Sequence, residues 1–291
     1  MTGHPITARA PLHAATVVGC DLDRTLIYSR GALGLARQDR PDLICVEYYQ
    51  GRPLSFMTAR AADLFRELCE VAAVVPATTR TRAQFSRIAL PGPAPRYAIA
   101  ANGGHLLDGG EPDLAWNAAV TKTLRAASAP LEQVWDHVRT VCSPAFTSTV
   151  RRADDLFVYA VVERTAMPDG LLAELTAWAG ELGWSVSLQG RKLYVVPLTL
   201  TKSAALAEVA RRTGADVVLA AGDSLLDRDM LAAADAAIRP GHGELHESGW
   251  RAEHVVSTRN SGVLAGEELL GWLLAGRQAG RWTPRRPLTS T

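Results

Sequence analysis

The chain has almost no net charge: 31 Lys plus Arg stand against 30 Asp plus Glu in 291 residues, a formal +1. A protein that holds nucleic acid electrostatically needs a basic surface to displace counterions from phosphate, so no nucleic-acid partner is expected. Nor is there an apolar run near the ~18–20 residues that span a bilayer, so no membrane partner is expected either. Cysteine is sparse, with Cys20, Cys45, Cys69 and Cys142 far apart and no Cys-x-x-Cys pair. That pattern argues against a disulfide framework or a zinc site and reads as small buried hydrophobes. The amino terminus, Met-Thr-Gly-His-Pro, has no charged stretch leading into an apolar one; no secretory leader is read there, and a cytoplasmic protein is expected. Internal repeats and low-complexity blocks are lacking. Lysine is the scarcest cation: Lys122, Lys192 and Lys202 are the only three, and arginine supplies the other 28.

What remains is globular in composition, with 47% hydrophobic and 21% charged residues, enough for one large domain or two modest ones. Short apolar runs alternate with helical patterns. Strands are predicted at 16–20, 71–76, 97–101 and 216–221, with helices over 59–73, 201–213 and 224–234. Continuous apolar strands separated by helices signal a parallel sheet covered on both faces, an α/β fold. The middle of the chain differs: helices over 114–127, 131–142 and 170–182 accompany strands at 156–162, 184–188 and 192–196 rich in aromatic and β-branched residues. This reads as a small α+β unit inserted into the larger sheet. The expected organisation is a disordered lead-in over 1–14, a discontinuous core at 15–110 and 191–275, an inserted cap at 111–190, and a disordered tail over 276–291.

In open α/β sheets ligands bind beyond the carboxyl ends of the strands. Asp21-Leu-Asp23-Arg-Thr25 follows the first strand, Thr78-Thr79-Arg80 the second, and Gly222-Asp223-Ser224 the late one, with Asp227 one helical turn on. Lys202 opens the helix before that late strand. Each has a plainer reading: Asp21 and Asp23 suit a turn, while Thr81-x-x-Gln84 and Ser224-x-x-Asp227 suit helix capping boxes. Converging carboxylates would raise one another's pKa unless a cation sat among them. Mg²⁺ suits the set, with Asp21, Asp223 and the Asp23 backbone carbonyl as ligands. The retained Lys202 offers a compact ammonium for phosphate. The residues alone point to magnesium-dependent phosphoryl transfer.

In this order, Asp21-x-Asp23-x-Thr25, Thr78, Lys202 and Gly222-Asp223-x-x-x-Asp227 resemble the four motifs of the haloacid dehalogenase (HAD) superfamily. The insertion, together with Asn102-Gly103-Gly104, resembles its Cof-like and sucrose-phosphatase-like branch with a large α/β cap. The resemblance covers roughly residues 16–274 and implies a Rossmann-like core. It also implies roles. Asp21 would be the nucleophile and Asp23 the acid and base. Thr78 and Lys202 would bind the phosphoryl group, Asp223 the metal, and Asp227 and Asn102 would support them. The implied activity is hydrolysis of a small phosphorylated metabolite, a sugar phosphate by branch resemblance, through an aspartyl-phosphate. A phosphomutase on the same scaffold and a non-catalytic phospho-ligand sensor remain alternatives.

The chain departs from that pattern at Thr79, where many relatives have glycine, so Thr78 and Thr79 compete for one role and Thr78 is favoured. The loop at His242 also differs, and His242 reads as a loop cap more than a substrate contact. His105 reads as structural. In the cap, Lys122, Arg151, Arg152, Arg191 and Lys192 are candidate substrate contacts. Residues 47–58 resemble a flap flanking the site.

Overall fold

The computed structural model describes residues 15–36, 38, 39 and 41–284. The expected lead-in over 1–14 and the end of the expected tail lie outside them. From the amino end the elements are β1 (Thr16–Asp21), β2 (Tyr28–Ser29), β3 (Leu43–Tyr49), β4 (Arg52–Thr58), α1 (Ala59–Val71), β5 (Ala73–Ala77) and α2 (Arg82–Phe85). Then come β6 (Tyr97–Ala100), β7 (His105–Asp108) and β8 (Glu111–Pro112). The inserted unit follows as α3 (Leu114–Ala127), α4 (Leu131–Val141), β9 (Thr147–Ala153), β10 (Phe157–Val162), α5 (Leu171–Glu181), β11 (Trp184–Gln189) and β12 (Lys192–Pro197). The chain returns through α6 (Lys202–Thr213), β13 (Val217–Ala221), α7 (Arg228–Ala233), β14 (Ala236–Arg239), α8 (Glu244–Glu247), β15 (Val255–Ser257) and α9 (Val263–Gln278).

The main sheet has the order β15-β14-β13-β1-β5-β6-β7-β8. Its first six strands are parallel, and β7 and β8 fold back antiparallel at one edge. The fold class is thus α/β with a parallel-dominated sheet. Every residue of β1 is buried because the strand is covered on both faces. Val18 and Cys20 join Phe65 and Leu68 of α1 and Leu269, Leu270 and Leu273 of α9. On the other face Val17 joins Leu206 and Val209 of α6 and Met230 and Leu231 of α7. Gly19 lets α6 press close, since a Cβ there would stand 2.5 Å from a Leu206 methyl. Full burial of each such side chain contributes about 1.5–3 kcal/mol. Helix starts are fixed locally: Thr58 accepts from the Ala61 N–H at 3.0 Å, and Thr201 accepts from Ala204 at 3.2 Å.

Several elements differ from the sequence reading. The cap sheet has the order β11-β12-β10-β9 and is antiparallel throughout. Its strand β12 lies beyond residue 190, so the cap extends through Pro197. Strand β9 was not expected, because its half-exposed sequence Thr-Ser-Thr-Val-Arg-Arg-Ala carries little apolar signal. The flap expected over 47–58 belongs to a three-stranded antiparallel unit, β2-β4-β3, whose β3–β4 hairpin begins at Leu43 and turns at Gln50-Gly51. The expected helix over 224–234 is a 3₁₀ turn, Leu225–Asp227, followed by α7. Residues 276–284 are not disordered as expected: α9 runs to Gln278, and Trp282 packs on Trp272 at 4.4 Å between ring centroids. Among the described residues, no helix is long and apolar enough to cross a membrane.

Candidate active site

The carboxyl ends of β1, β5 and β13 meet at the middle of the sheet, and the loops that follow them form the floor of the site. Asp21 ends β1. Lys202, the first residue of α6, reaches it from the neighbouring loop: its Nζ donates to Asp21 Oδ1 at 2.5 Å and to Asp227 Oδ1 at 2.7 Å. The other Asp227 oxygen accepts from the Ser224 N–H at 3.0 Å and the Ser224 hydroxyl at 2.7 Å, so the expected capping box is formed. Both Asp227 oxygens are therefore engaged. Asp223 has a looser partner, Arg24 Nε at 3.5 Å.

Carboxylate oxygens of Asp21, Asp223 and Asp227 lie within 4.8 Å of one another, all buried. Burial pushes the Asp21 carboxyl up to about 7 against the pull of Lys202, and Asp227 adds to the rise. Burial likewise raises Asp223 well above the usual carboxylate range, with Asp21 and Asp227 repelling it. Burial opposes the charge on Lys202, yet Asp21 and Asp227 overcome it and hold the ammonium protonated. Among the described residues, Asp21 Oδ2 is buried without a hydrogen-bond partner, as are Thr25 Oγ1 and Asn102 Oδ1 nearby. An orphaned carboxylate oxygen beside the weakly paired Asp223 is a donor set that fits a hard divalent cation such as Mg²⁺.

The wall of the site is built around the second motif. The turn Ala101–Gly103 is strained, with φ of 48° at Ala101 and 56° at Asn102. That strain points two successive N–H groups at the loop after β5: Ala101 donates to Arg80 O at 2.7 Å and Asn102 to Thr78 O at 2.9 Å. The Asn102 side chain meanwhile donates to Leu200 O at 2.7 Å, just ahead of α6. Asn102 thus ties the Thr78–Arg80 loop to the start of the helix that carries Lys202. Thr78 is fully buried and its Oγ1 accepts from the Arg80 N–H at 3.1 Å. Thr79 turns its hydroxyl to the cap instead, donating to Tyr194 OH at 3.2 Å.

Sequence reasoning gave Arg80 no role, and the structure gives it a prominent one. Its guanidinium forks across Asp23, with Nε to Oδ2 and Nη2 to Oδ1 both at 2.7 Å. Burial opposes ionisation of Asp23, but Arg80, with Lys192 and Lys202 behind it, holds the carboxyl well below the usual range. The signal in the sequence was position alone: Arg80 stands two residues beyond Thr78, after a strand whose neighbour ends in acids.

Polar contacts join the cap to this floor, beside apolar packing of Ala101 and Leu226 against the cap cluster. Glu244 Oε2 accepts from the Ser187 hydroxyl and Oε1 from the Leu188 N–H, both at 2.6 Å. The same carboxylate also accepts from the Leu225 N–H at 3.1 Å. Gln84 donates to Tyr159 OH at 3.3 Å. Gly243 packs on Asp223, where a Cβ would fall 2.5 Å from the carboxylate. Among the cap cations, Lys192 lies beside Tyr194 in the field of Asp23, and both hold its ammonium charged. Arg152 is spent elsewhere, paired with Glu132 and stacked 4.8 Å over Trp135. Lys122, Arg151 and Arg191 are exposed. His242 donates from Nε2 to Arg24 O at 2.8 Å and accepts the Gly262 N–H at Nδ1 at 3.1 Å. Burial brings its pKa down to about 4, so it is a neutral brace between two loops. His105 lies 3.2 Å from Asp154 in the cap.

No protein-family model and no curated protein matches the sequence. Solved structures do match in fold. The chain is similar to the sucrose-phosphatase of Synechocystis sp. PCC6803, solved with sucrose and phosphate, at a TM-score of 0.61 and 13% identity, covering 90% of this chain and 98% of that one. It is similar to a trehalose-6-phosphate phosphatase related protein at 0.53 and 18% identity, covering 90% and 99%. A phosphatase of the haloalkanoate (HAD) superfamily from Bacteroides thetaiotaomicron matches at 0.51 and 17% identity, covering 94% and 98%. The chain therefore has the fold of HAD-superfamily phosphatases, core and cap together.

Proposed function

We propose that the protein is a Mg²⁺-dependent phosphatase that hydrolyses a small phosphorylated metabolite, a sugar phosphate, through an aspartyl-phosphate on Asp21. The observation that carries this reading is the buried cluster of Asp21, Asp223, Asp227 and Lys202, with one Asp21 oxygen left unpartnered. The sugar phosphate is favoured by the structural neighbours, a sucrose-phosphatase and a trehalose-6-phosphate phosphatase related protein.

In the first step an Asp21 oxygen attacks phosphorus in line, the ester P–O bond breaks, and Asp23 gives a proton to the departing alkoxide. In the second, Asp23 takes a proton from water as the water oxygen attacks the aspartyl-phosphate, releasing phosphate and restoring Asp21. Lys202 and the Thr78 hydroxyl hold phosphoryl oxygens. Asp21, Asp223 and the Asp23 backbone carbonyl would hold the metal, whose charge offsets the clustered carboxylates and the phosphoryl oxygens. Arg80 favours the ionised form of Asp23, which is the state required of the base in the second step and makes the protonated form, regenerated there from water, a strong acid for the first step of the next turnover. The polar cap contacts exclude bulk water during both.

The test is phosphate release from a panel of sugar phosphates, nucleotides and phospho-acids, with and without Mg²⁺, beside Asp21→Asn. Release that needs Mg²⁺ and vanishes in Asp21→Asn is expected. Release that survives the substitution would overturn the reading. A requirement for a bisphosphate activator would point to a phosphomutase, and folded protein that binds phosphate without turnover to a sensor.

A further inference from the structure

We propose that Glu47, a flap residue outside the strand-end cluster, is a positioning residue for Asp23 and acts by fixing the plane of the Arg80 guanidinium. The inference rests on the phosphatase reading above.

The starting point is an irregularity in the flap. The β3–β4 pairing shifts register on both sides of Glu47, between Cys45 and Glu47 and again between Glu47 and Tyr48. A bulge re-aims a side chain that regular alternation would leave on the opposite face. Exposure does not alternate there: Val46 is buried, and Tyr48 and Tyr49, toward the hairpin turn, are both exposed. Glu47 instead is 2% exposed.

A carboxylate taken out of water is costly unless it is paired and hydrogen-bonded. Glu47 is paired on both oxygens. Oε1 meets Arg80 Nη1 at 2.9 Å and Arg87 Nη2 at 3.2 Å, and Oε2 accepts from the Ser55 hydroxyl at 2.6 Å. The guanidinium of Arg80 is a rigid plane of five donors. Its Nε and Nη2 grip Asp23 while Nη1 is held by Glu47. With two carboxylates on different edges, the plane cannot turn without breaking one pair. Glu47 therefore sets the angle at which Arg80 presents its fork to Asp23, and the flap is mechanically joined to the residue that moves the proton. Remove the Glu47 charge, and Arg80 is held from one side, free to pivot or to follow a phosphoryl dianion.

Two esters distinguish this role from plain support of the flap. The nitrophenolate of p-nitrophenyl phosphate leaves without a proton, whereas the alkoxide of glucose 6-phosphate needs one. Glu47→Gln and Glu47→Asp are compared with wild type on both. For Glu47→Gln, the first step is read as the pre-steady-state burst of released alcohol or nitrophenolate. It should slow on the order of 10–100-fold with glucose 6-phosphate and less than about threefold with p-nitrophenyl phosphate, while the second step, where Asp23 is the base for both, slows equally with both. Glu47→Asp, which keeps the charge on a shorter stem, should recover part of the loss and carries the test if the glutamine variant does not fold. Equal slowing of the first step with the two esters would overturn the proposal and leave Glu47 as scaffold. If the wild type hydrolyses neither ester, the phosphatase reading is what fails, and crystal structures of the two variants decide the positioning claim separately. Arg80 turned off Asp23 supports it; an unmoved fork overturns it.

Discussion

Asp21 and Asp23 are two residues apart on the same turn, yet the protein treats them oppositely. Asp21 sits in the sheet's floor among Asp223, Asp227 and a single ammonium, and burial carries its carboxyl up to about 7. Asp23 sits at the wall under the flap, where the Arg80 fork outweighs burial and keeps it ionised. The cations differ in kind as well. Lys202 is a compact point charge shared between Asp21 and Asp227; Arg80 is a planar fork shared between Asp23 and Glu47. In the proposed mechanism the first would be a nucleophile left under-neutralised for a metal and a phosphoryl group, and the second a proton-exchanging group held at a fixed angle. Two carboxylates with pKa values pushed apart are what acid–base and nucleophilic division of labour requires.

Substitutions on either side can break that contrast. Asp21→Asn should lower single-turnover phosphate release by on the order of 10⁴-fold or more, since nothing nearby can replace the nucleophile; retention of activity would sink the assignment. Lys202→Met leaves Asp21 and Asp227 buried without their counter-ion and should cost about 3–5 kcal/mol in urea unfolding of chelator-treated protein. Mg²⁺ should recover part of that loss, and no recovery would mean that the cluster does not bind the cation. Arg80→Lys keeps the charge but loses the fork and should reduce kcat on glucose 6-phosphate about tenfold with little change in stability.

The pH dependence sharpens the Asp21 side. Its folded-state carboxyl at about 7 lies above the ordinary 3.8. Between those values the folded chain keeps a proton that the unfolded chain has released. The stability Asp21 contributes is thus fully present below about pH 4 and lost as the pH climbs through 7. Calorimetry should show the Mg²⁺-induced rise in Tm larger at pH 8 than at pH 5, at about 2–4 °C per kcal/mol for chains near this size; an equal rise at both would contradict the shift. Least of all, Arg152→Ala removes a pair with Glu132 and should change stability by less than about 1 kcal/mol and leave KM for the substrate alone. A raised KM would move Arg152 into the site.

The floor of the site was legible in the sequence because a parallel sheet places whatever follows its strands at one edge. Asp21, Asp223, Asp227 and Lys202 needed only that rule to be brought together, and the Ser224-x-x-Asp227 spacing announced the capping turn that holds one of them. The wall was not legible. Arg80 meets Asp23 across 57 positions of sequence, and Glu47 reaches Arg80 from an irregular stretch of β3 where burial does not alternate, which no periodicity records. The cap boundary was misplaced because β12, Lys-Leu-Tyr-Val-Val-Pro, has the same apolar run as a core strand and only its antiparallel partners reveal which sheet it joins. The end of α9 was lost among Arg, Gly and Pro, where Trp282 supplies the packing that local propensity does not.

The Glu244 fastening bears on how fast the molecule can work. Its three acceptor contacts run to a hydroxyl and two backbone N–H groups of the cap and of the Ser224–Leu225 loop. When such a seam parts, water takes up each donor and acceptor, so every bond to the carboxylate costs about 1.5–3 kcal/mol net to open. A seam of interlocked leucines would expose apolar surface instead and resist parting in proportion to its area. Around Glu244 the cap is latched by contacts that solvent can remake, which would suit the proposed reaction, since its phosphate and alcohol must leave after every cycle.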